Sequence, residues 1–183
     1  MPDRRGQLLI AAADLADPHF HRTVSLLVEH SPDGALGLVL NRPTGLRVAQ
    51  AWTQVSDQPC VYEGPLMWGG PCAGPLMVLH DDPTRGQTAG IDGLYFTADA
   101  EAVTQLMGDP PGAMRCFSGY AGWGSEQLES ELASESWVVS PASIQDVLDP
   151  SDDVWLALWD RINPAQAAVI RHPGLMPEDP SLN

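Results

Sequence analysis

Arg22-Thr23-Val24-Ser25-Leu26-Leu27-Val28-Glu29-His30 is followed, after a Ser31-Pro32-Asp33-Gly34 turn, by Ala35-Leu36-Gly37-Leu38-Val39-Leu40-Asn41-Arg42-Pro43. Short apolar runs bounded by Gly, Pro, Asp and Asn read as strands, so this stretch is two adjacent strands of a sheet. Its polar ends, Glu29-His30 and Asn41-Arg42, fall where a sheet stops and backbone becomes accessible. A second stretch, Phe117-Ser118-Gly119-Tyr120-Ala121-Gly122-Trp123-Gly124, reads as a glycine-aromatic loop running into a helix.

Working outward, residues 7–12 read as the first strand, and 14–20 as a loop turning at Asp17-Pro18. Residues 46–54 carry Val48, Ala51, Trp52 and Val55 at helical spacing and predict a short helix. Short strands follow at 61–62 and 66–68, with further strands at 76–80 and 94–97 around an exposed acidic loop at 81–90. Asp99 starts a helix reaching about 107, and 114–118 form a strand entering the glycine loop. The last third turns helical: 125–133, a strand at 137–139, 143–148, and a helix capped by Asp152 or Asp153 through Ile162. A further turn or two covers 165–170, and 172–183 is a proline-rich tail. The economical fold class is α+β, a single compact domain spanning residues 1–183.

The composition narrows the chemistry. The chain has 183 residues and a formal net charge of −15, so its surface field is negative. Clustered cations are what neutralise phosphates, and here the nine basic residues are scattered apart from Arg4-Arg5. Direct nucleic-acid binding is therefore not expected. All nine are Arg, which rules out a Schiff-base lysine and a phosphate-loop lysine. Cys60, Cys72 and Cys116 are odd in number and widely spaced, as free thiols in a reducing compartment would be. No run approaches the roughly 20 apolar residues of a membrane span, and the first apolar run stops at Asp14, too short for a signal peptide. A cytoplasmic protein without membrane contact is expected.

Gly6-x-Leu8-Leu9-Ile10-Ala11, Asp17-Pro18-x-Phe20-x-Arg22-Thr23-Val24, Glu29-His30 and Gly34-Ala35-x-Gly37-Leu38-Val39-Leu40-Asn41-Arg42-Pro43 form a series. It continues through Gly69-Gly70-Pro71, Leu79-His80, Ser118-Gly119-Tyr120-Ala121-Gly122-Trp123-Gly124-x-x-Gln127-Leu128-Glu129-x-Glu131 and Trp137. In this order the series resembles the YqgE/AlgH family of bacterial proteins, whose activity is not established and whose name carries a label of transcriptional regulator. The resemblance implies a compact α+β fold with a curved or barrel-like mixed sheet and peripheral helices. Ala13 departs from the pattern, where relatives commonly have Pro.

Several constellations compete for function. Gly119-x-x-Gly122-x-Gly124 ahead of a helix has the look of an anion cradle, but Glu126 and Glu129 already occupy the positive end of that helix. Asp17, His19 and His21 offer ligands on alternate positions, with His30 or His80-Asp81-Asp82 as distant partners; the set is incomplete, and no metal is expected. Arg22, His30, Asn41, Arg42, Tyr120 and Trp123 are the candidate ligand- or partner-binding residues. Glu29 beside His30 can make a base, Arg with Asn can hold an anion, and Tyr120 with Trp123 can form a flat platform. A plainer reading pairs Arg22 with Glu29 and uses Asn41 to cap a turn. No attacking group completes a catalytic set. Ser118 lacks a nucleophile elbow because Cys116 stands where the first glycine belongs, and nothing marks Cys72 or Cys116 as a thiolate. Trp52, Trp155 and Trp159 lie on helical spacing as core residues. The leading expectation is a non-catalytic module, without a cofactor, that binds an unknown small molecule or protein partner, with a regulatory outcome. The alternative is a hydrolase-type enzyme using His30 with Arg22 or Arg42; a direct DNA-binding regulator comes third.

Overall fold

The computed structural model describes residues 3–172; the expected proline-rich tail falls, from 173 onward, outside them. In chain order the elements are β1 (Gln7–Ala11), β2 (Val24–Ser31), β3 (Gly34–Val39), β4 (Pro43–Arg47), α1 (Val48–Trp52), β5 (Pro65–Trp68), β6 (Cys72–His80) and β7 (Gln87–Thr88). They continue with β8 (Tyr95–Thr97), α2 (Ala100–Gly108), β9 (Met114–Gly124), α3 (Gln127–Ala133), β10 (Trp137–Pro141), α4 (Ile144–Leu148), α5 (Val154–Ile162) and α6 (Pro164–Arg171).

The opening stretch is the expected hairpin. β2 and β3 pair antiparallel with Leu26 opposite Leu38 and His30 opposite Ala35, around a bulge at Val28. Leu8, Leu9, Ile10, Val24, Leu26 and Leu27 are fully buried, so β1 and β2 are covered on both faces. Helices supply the cover: α5 packs on β1, and α3 packs on β3, β9 and β10. The strand order β10-β1-β2-β3-β9-β6-β8-β7, with β5 parallel to β9 and β4 beside β5, makes a mixed sheet curled into a half-barrel. A second core, holding Val48, Trp52, Leu66, Val103, Leu106 and Cys116, lies under α1 and α2.

Several expectations are corrected. The largest concerns 117–124, which are the last eight residues of an eleven-residue strand and not a loop. Its end, 121–124, pairs with β3, placing Ala121 opposite Gly37 and Trp123 opposite Ala35. Residues 43–47 form an edge strand, not the approach to a helix: Pro43 sits where no ladder donor is needed, and the Thr44 hydroxyl donates to the Leu66 carbonyl at 2.8 Å. The helix there shrinks to Val48–Trp52. Val61 and Tyr62 are not strand. Val61 makes one backbone bond to Met107, and the Tyr62 hydroxyl donates to the Met114 carbonyl at 2.6 Å. The acidic loop contains the short β7.

Capping follows the sequence. Asp99 accepts from the amides of Glu101 and Ala102, and Asp153 from that of Leu156, satisfying orphan donors at the starts of α2 and α5. Arg115 bridges distant parts: its guanidinium donates to the carbonyls of Val147, at the end of α4, and Leu40, both at 2.7 Å. No carboxylate faces it among the described residues, and burial pulls its pKa down to about 10.

His80, on β6, is fully buried. Its Nδ1 accepts from the Asp82 amide at 3.2 Å, so Nε2 carries the proton. Burial holds its pKa below the ordinary histidine value, with Asp82 opposing. A folded-state pKa below the unfolded one means that the unfolded chain takes up the proton first as pH falls. Stability is therefore expected to decline as pH drops through the ordinary histidine range toward the lower folded value. Urea midpoints measured from pH 7.5 to 5.5 check this, and His80→Leu should flatten that part of the profile.

Candidate functional site

The six candidate residues divide between the two ends of the β2–β3 hairpin. Arg22 precedes β2 by two residues and His30 lies near its far end, so six strand steps from Val24 to His30, roughly 20 Å at the rise of an extended strand, keep them apart. Because the hairpin folds back, Asn41 and Arg42 return to the Arg22 end and His30 stays beside the turn.

The Arg22 end is a clip. Asn41 Oδ1 accepts from the Val24 amide at 3.0 Å, and its Nδ2 donates to the Arg22 carbonyl at 2.9 Å. The side chain thus stands in for a strand partner where the ladder ends. Arg42 donates to its neighbour Asn41's carbonyl and to that of His21. Arg22 adopts a left-handed backbone with φ 53°, and its guanidinium lies 5.0 Å from the Trp155 ring centroid. The Trp155 indole donates in turn to the Ala11 carbonyl at 2.8 Å. Arg22 and Glu29 do not pair; Arg22 precedes β2, and Glu29 lies toward its far end.

The same clip explains the histidines. Asp17 accepts from the amides of His19 and Phe20, folding 17–22 into a turn instead of the extended segment that would align His19 with His21. His19 stacks on Trp68 at 6.1 Å, and His21 Nδ1 lies 3.0 Å from the Leu15 carbonyl. Phe20 points inward, its ring 5.4 Å from that of Trp137 in edge contact. Among the described residues no group of three or more His, Cys, Asp or Glu side chains is placed to hold a metal ion.

At the other end His30, Tyr120 and Trp123 line one hollow of about 640 Å³, together with Glu29, Asp33 and Cys72. His30 Nδ1 accepts from the Arg4 amide at 3.3 Å, and Nε2 lies 3.3 Å from Glu129 Oε1. The second is proximity only, since Glu129 Oε1 has no hydrogen-bond partner among the described residues. Arg5 also borders the hollow but is held by Asp3 at 2.7 Å. Glu29 and Asp33 have no ion-pair partner among the described residues, which leaves the rim net acidic. Trp123 turns its ring into the core, on the opposite face of β9 from Tyr120: it is 5% exposed, and its Nε1 donates to Glu131 at 2.9 Å.

The glycines of 117–124 serve close approach of backbones. Gly119 has φ 74°, and a methyl there would stand 2.6 Å from the Gly70 carbonyl oxygen and 2.9 Å from that of Cys72. The corner leading into β6 presses on β9 at this point. With 119–124 paired as strand, its amides are not gathered into an anion cradle.

A sequence profile described as AlgH-like matches residues 8–166. A UPF0301 protein from Streptomyces avermitilis is 35% identical, over 97% of this chain and 94% of that protein. The chain belongs to the AlgH-like family. Another UPF0301 protein, from Myxococcus xanthus, is 36% identical over 84% of this chain and 85% of its own length. The solution structure of AlgH from Pseudomonas aeruginosa matches with a TM-score of 0.72 and 29% identity, covering 90% of this chain and 91% of that one. A crystal structure from Corynebacterium diphtheriae matches at TM-score 0.68 and 26% identity, covering 93% and 92%. The expected α+β fold with a curled sheet is thus the AlgH-like fold. No helix among the described residues is long and apolar enough to cross a membrane.

Within this AlgH-like chain the possible attacking groups are dispersed. Ser118 is exposed, opposite Trp68 on β5 and Leu76 on β6. The Cys116 thiol is buried, and burial pushes its pKa far up, the reverse of a reactive thiolate. Cys72 lies by the hollow, opposite Tyr120 in the ladder. Sequence reading missed the role of Glu131, whose Oε2 accepts from the indoles of both Trp123 and Trp137. The available signal was its position eight residues after one Trp and six before the next, on a short helix returning toward the sheet.

Proposed function

We propose that this AlgH-like protein is a non-catalytic binding module whose site is the hollow at the turn end of the β2–β3 hairpin, with a regulatory outcome that follows from occupancy. The observation that carries this reading is the half-buried Tyr120, opposite Cys72 in the hollow, with Glu29 and Asp33 uncompensated at the rim among the described residues. A half-buried tyrosine offers a flat apolar face with a polar tip, and two free carboxylates favour a cation. The ligand class that fits is a small planar cation or a cationic side chain of a partner protein. A hydrolase using His30 with Arg22 or Arg42 needs them in one cleft, and the length of β2 separates them.

An amide NMR titration tests the reading with benzamidine as a planar cation and benzoate as its anionic counterpart. Benzamidine should give saturable shifts confined to residues 29–36 and 120–123, and benzoate none. Tyr120→Ala should weaken the binding by about tenfold, the loss of one aromatic contact plus its buried area. Equal response to both probes, or ester turnover abolished by His30→Ala, would overturn the proposal.

A further inference from the structure

We infer that the open edge of β10 takes an extended, basic segment of a partner polypeptide as an added strand. This surface is separate from the hollow over Tyr120, with which it shares no lining residue.

Among the described residues β10 ends the sheet and pairs with β1 alone. The Ala12 amide donates to the Ser136 carbonyl at 3.0 Å, and Ala11 stands opposite Trp137. In an antiparallel ladder directly opposed residues alternate between bonded and non-bonded pairs. The residues opposing 10 and 8, Val138 and Ser140, therefore bond inward to β1. Trp137 and Val139 turn their N–H and C=O groups outward, giving an edge with two donors and two acceptors. Pro141 ends it by having no N–H to offer.

That edge is unguarded and seated in a groove. Open edges in most proteins are blunted by charge, a bulge or a covering segment, but Trp137-Val138-Val139-Ser140-Pro141 carries no charge. A groove of about 920 Å³ runs beside it and touches Trp137, Val138 and Val139 in succession. Successive strand residues point to opposite faces, so a groove touching all three follows the edge and not one face. Its walls include Leu132 of α3, Trp159 of α5 and Gln166 of α6. Trp159 is 7% exposed, and its indole N–H has no acceptor among the described residues. A carbonyl of an added strand would supply one.

Charge selects the occupant. Asp14 and Glu135 border the groove without ion-pair partners among the described residues, and the one cation there, Arg4, faces Glu129 at 3.8 Å. Against a chain of net charge −15, a second copy meets like charge. Residues 173–183 contribute three Pro together with Glu178 and Asp179, a composition poor in ladder donors and of the wrong sign. A basic extended segment satisfies the ladder and the rim together.

The test uses the full chain and a labelled, capped nine-residue peptide alternating Arg with Thr or Val, beside the same peptide with Glu for Arg. The basic peptide should bind saturably, slow hydrogen exchange at the Trp137 and Val139 amides, and shift the Trp159 indole resonance; the acidic one should not bind. Val139→Pro removes an outward N–H without touching the β1 ladder and should cost about tenfold in affinity, with the amide spectrum otherwise native. Trp159→Phe should weaken binding by a smaller factor. Equal affinity for both peptides, no saturable binding, or an unchanged affinity in Val139→Pro overturns the inference. It is also overturned if those two amides are already protected in the free protein, whether protection grows with protein concentration, marking a second copy, or disappears on removal of 173–183, marking the chain's own tail.

Discussion

Gly119→Ala is expected to lower stability by about 3 kcal/mol, from the strain of a left-handed non-glycine backbone plus overpacking against fixed neighbours. The first part is intrinsic: at φ 74° an L side chain crowds its own carbonyl. The second is external, because the added methyl meets the Gly70 oxygen at 2.6 Å and the Cys72 oxygen at 2.9 Å. Both atoms are backbone of the corner entering β6, so neither can swing aside as a side-chain tip would. Gly108→Ala provides the contrast, since a methyl there meets nothing within 4 Å. Urea unfolding followed by tryptophan fluorescence reads both. A Gly119→Ala loss no larger than that of Gly108→Ala would mean that the corner does not bear on β9.

The same glycine marks the boundary of what the sequence discloses. Val24 to Val28 and Leu36 to Val39 read as strands because local apolar content is enough to require burial, and those strands are present. Asp99, and Asp152 or Asp153, read as caps because their chemistry is local; the structure uses Asp99 and Asp153. Residues 117–124 look like a loop because three glycines in eight residues are a loop signal. Here they answer a demand from elsewhere in the chain, the approach of 69–72, which no local pattern contains. Nor does a catalogue of polar residues separate the two ends of a hairpin. Arg22 and His30 appear as neighbours in a motif, although most of β2 lies between them. The opposite pairing, Asn41 with Arg22, was available from the turn position alone: folding back at Pro32-Asp33 sets 41 beside 22–24. Tyr120 and His30 border one hollow only because β9 pairs with β3, a pairing of segments some ninety residues apart that local reading cannot supply.

Glu131→Leu should be the other severe lesion, costing about 3 kcal/mol, because it orphans two buried donors whose charge-assisted bonds contribute about 1.5–3 kcal/mol each. The carboxylate accepts from Trp137 at 2.8 Å and Trp123 at 2.9 Å through one oxygen, while Gln127 donates to the other at 2.9 Å. Both tryptophans are nearly buried, so water does not readily replace the lost acceptor. Their rings lie 6.0 Å apart in edge contact with Phe20 against both, so freeing the indoles loosens the packing that seats the 17–22 turn. Glu131→Gln keeps an acceptor oxygen and loses only the charge assistance, so about 1 kcal/mol is expected. The ordering of Leu below Gln below the parent, in urea midpoint and in the near-UV signal of the tryptophans, distinguishes an acceptor role from simple packing, since Leu is the better apolar filler. Equal losses for the two variants would assign Glu131 no more than a place on the surface of α3. A larger loss for Gln than for Leu would make the apolar contacts of that helix, and not its carboxylate, the tie between α3 and the sheet.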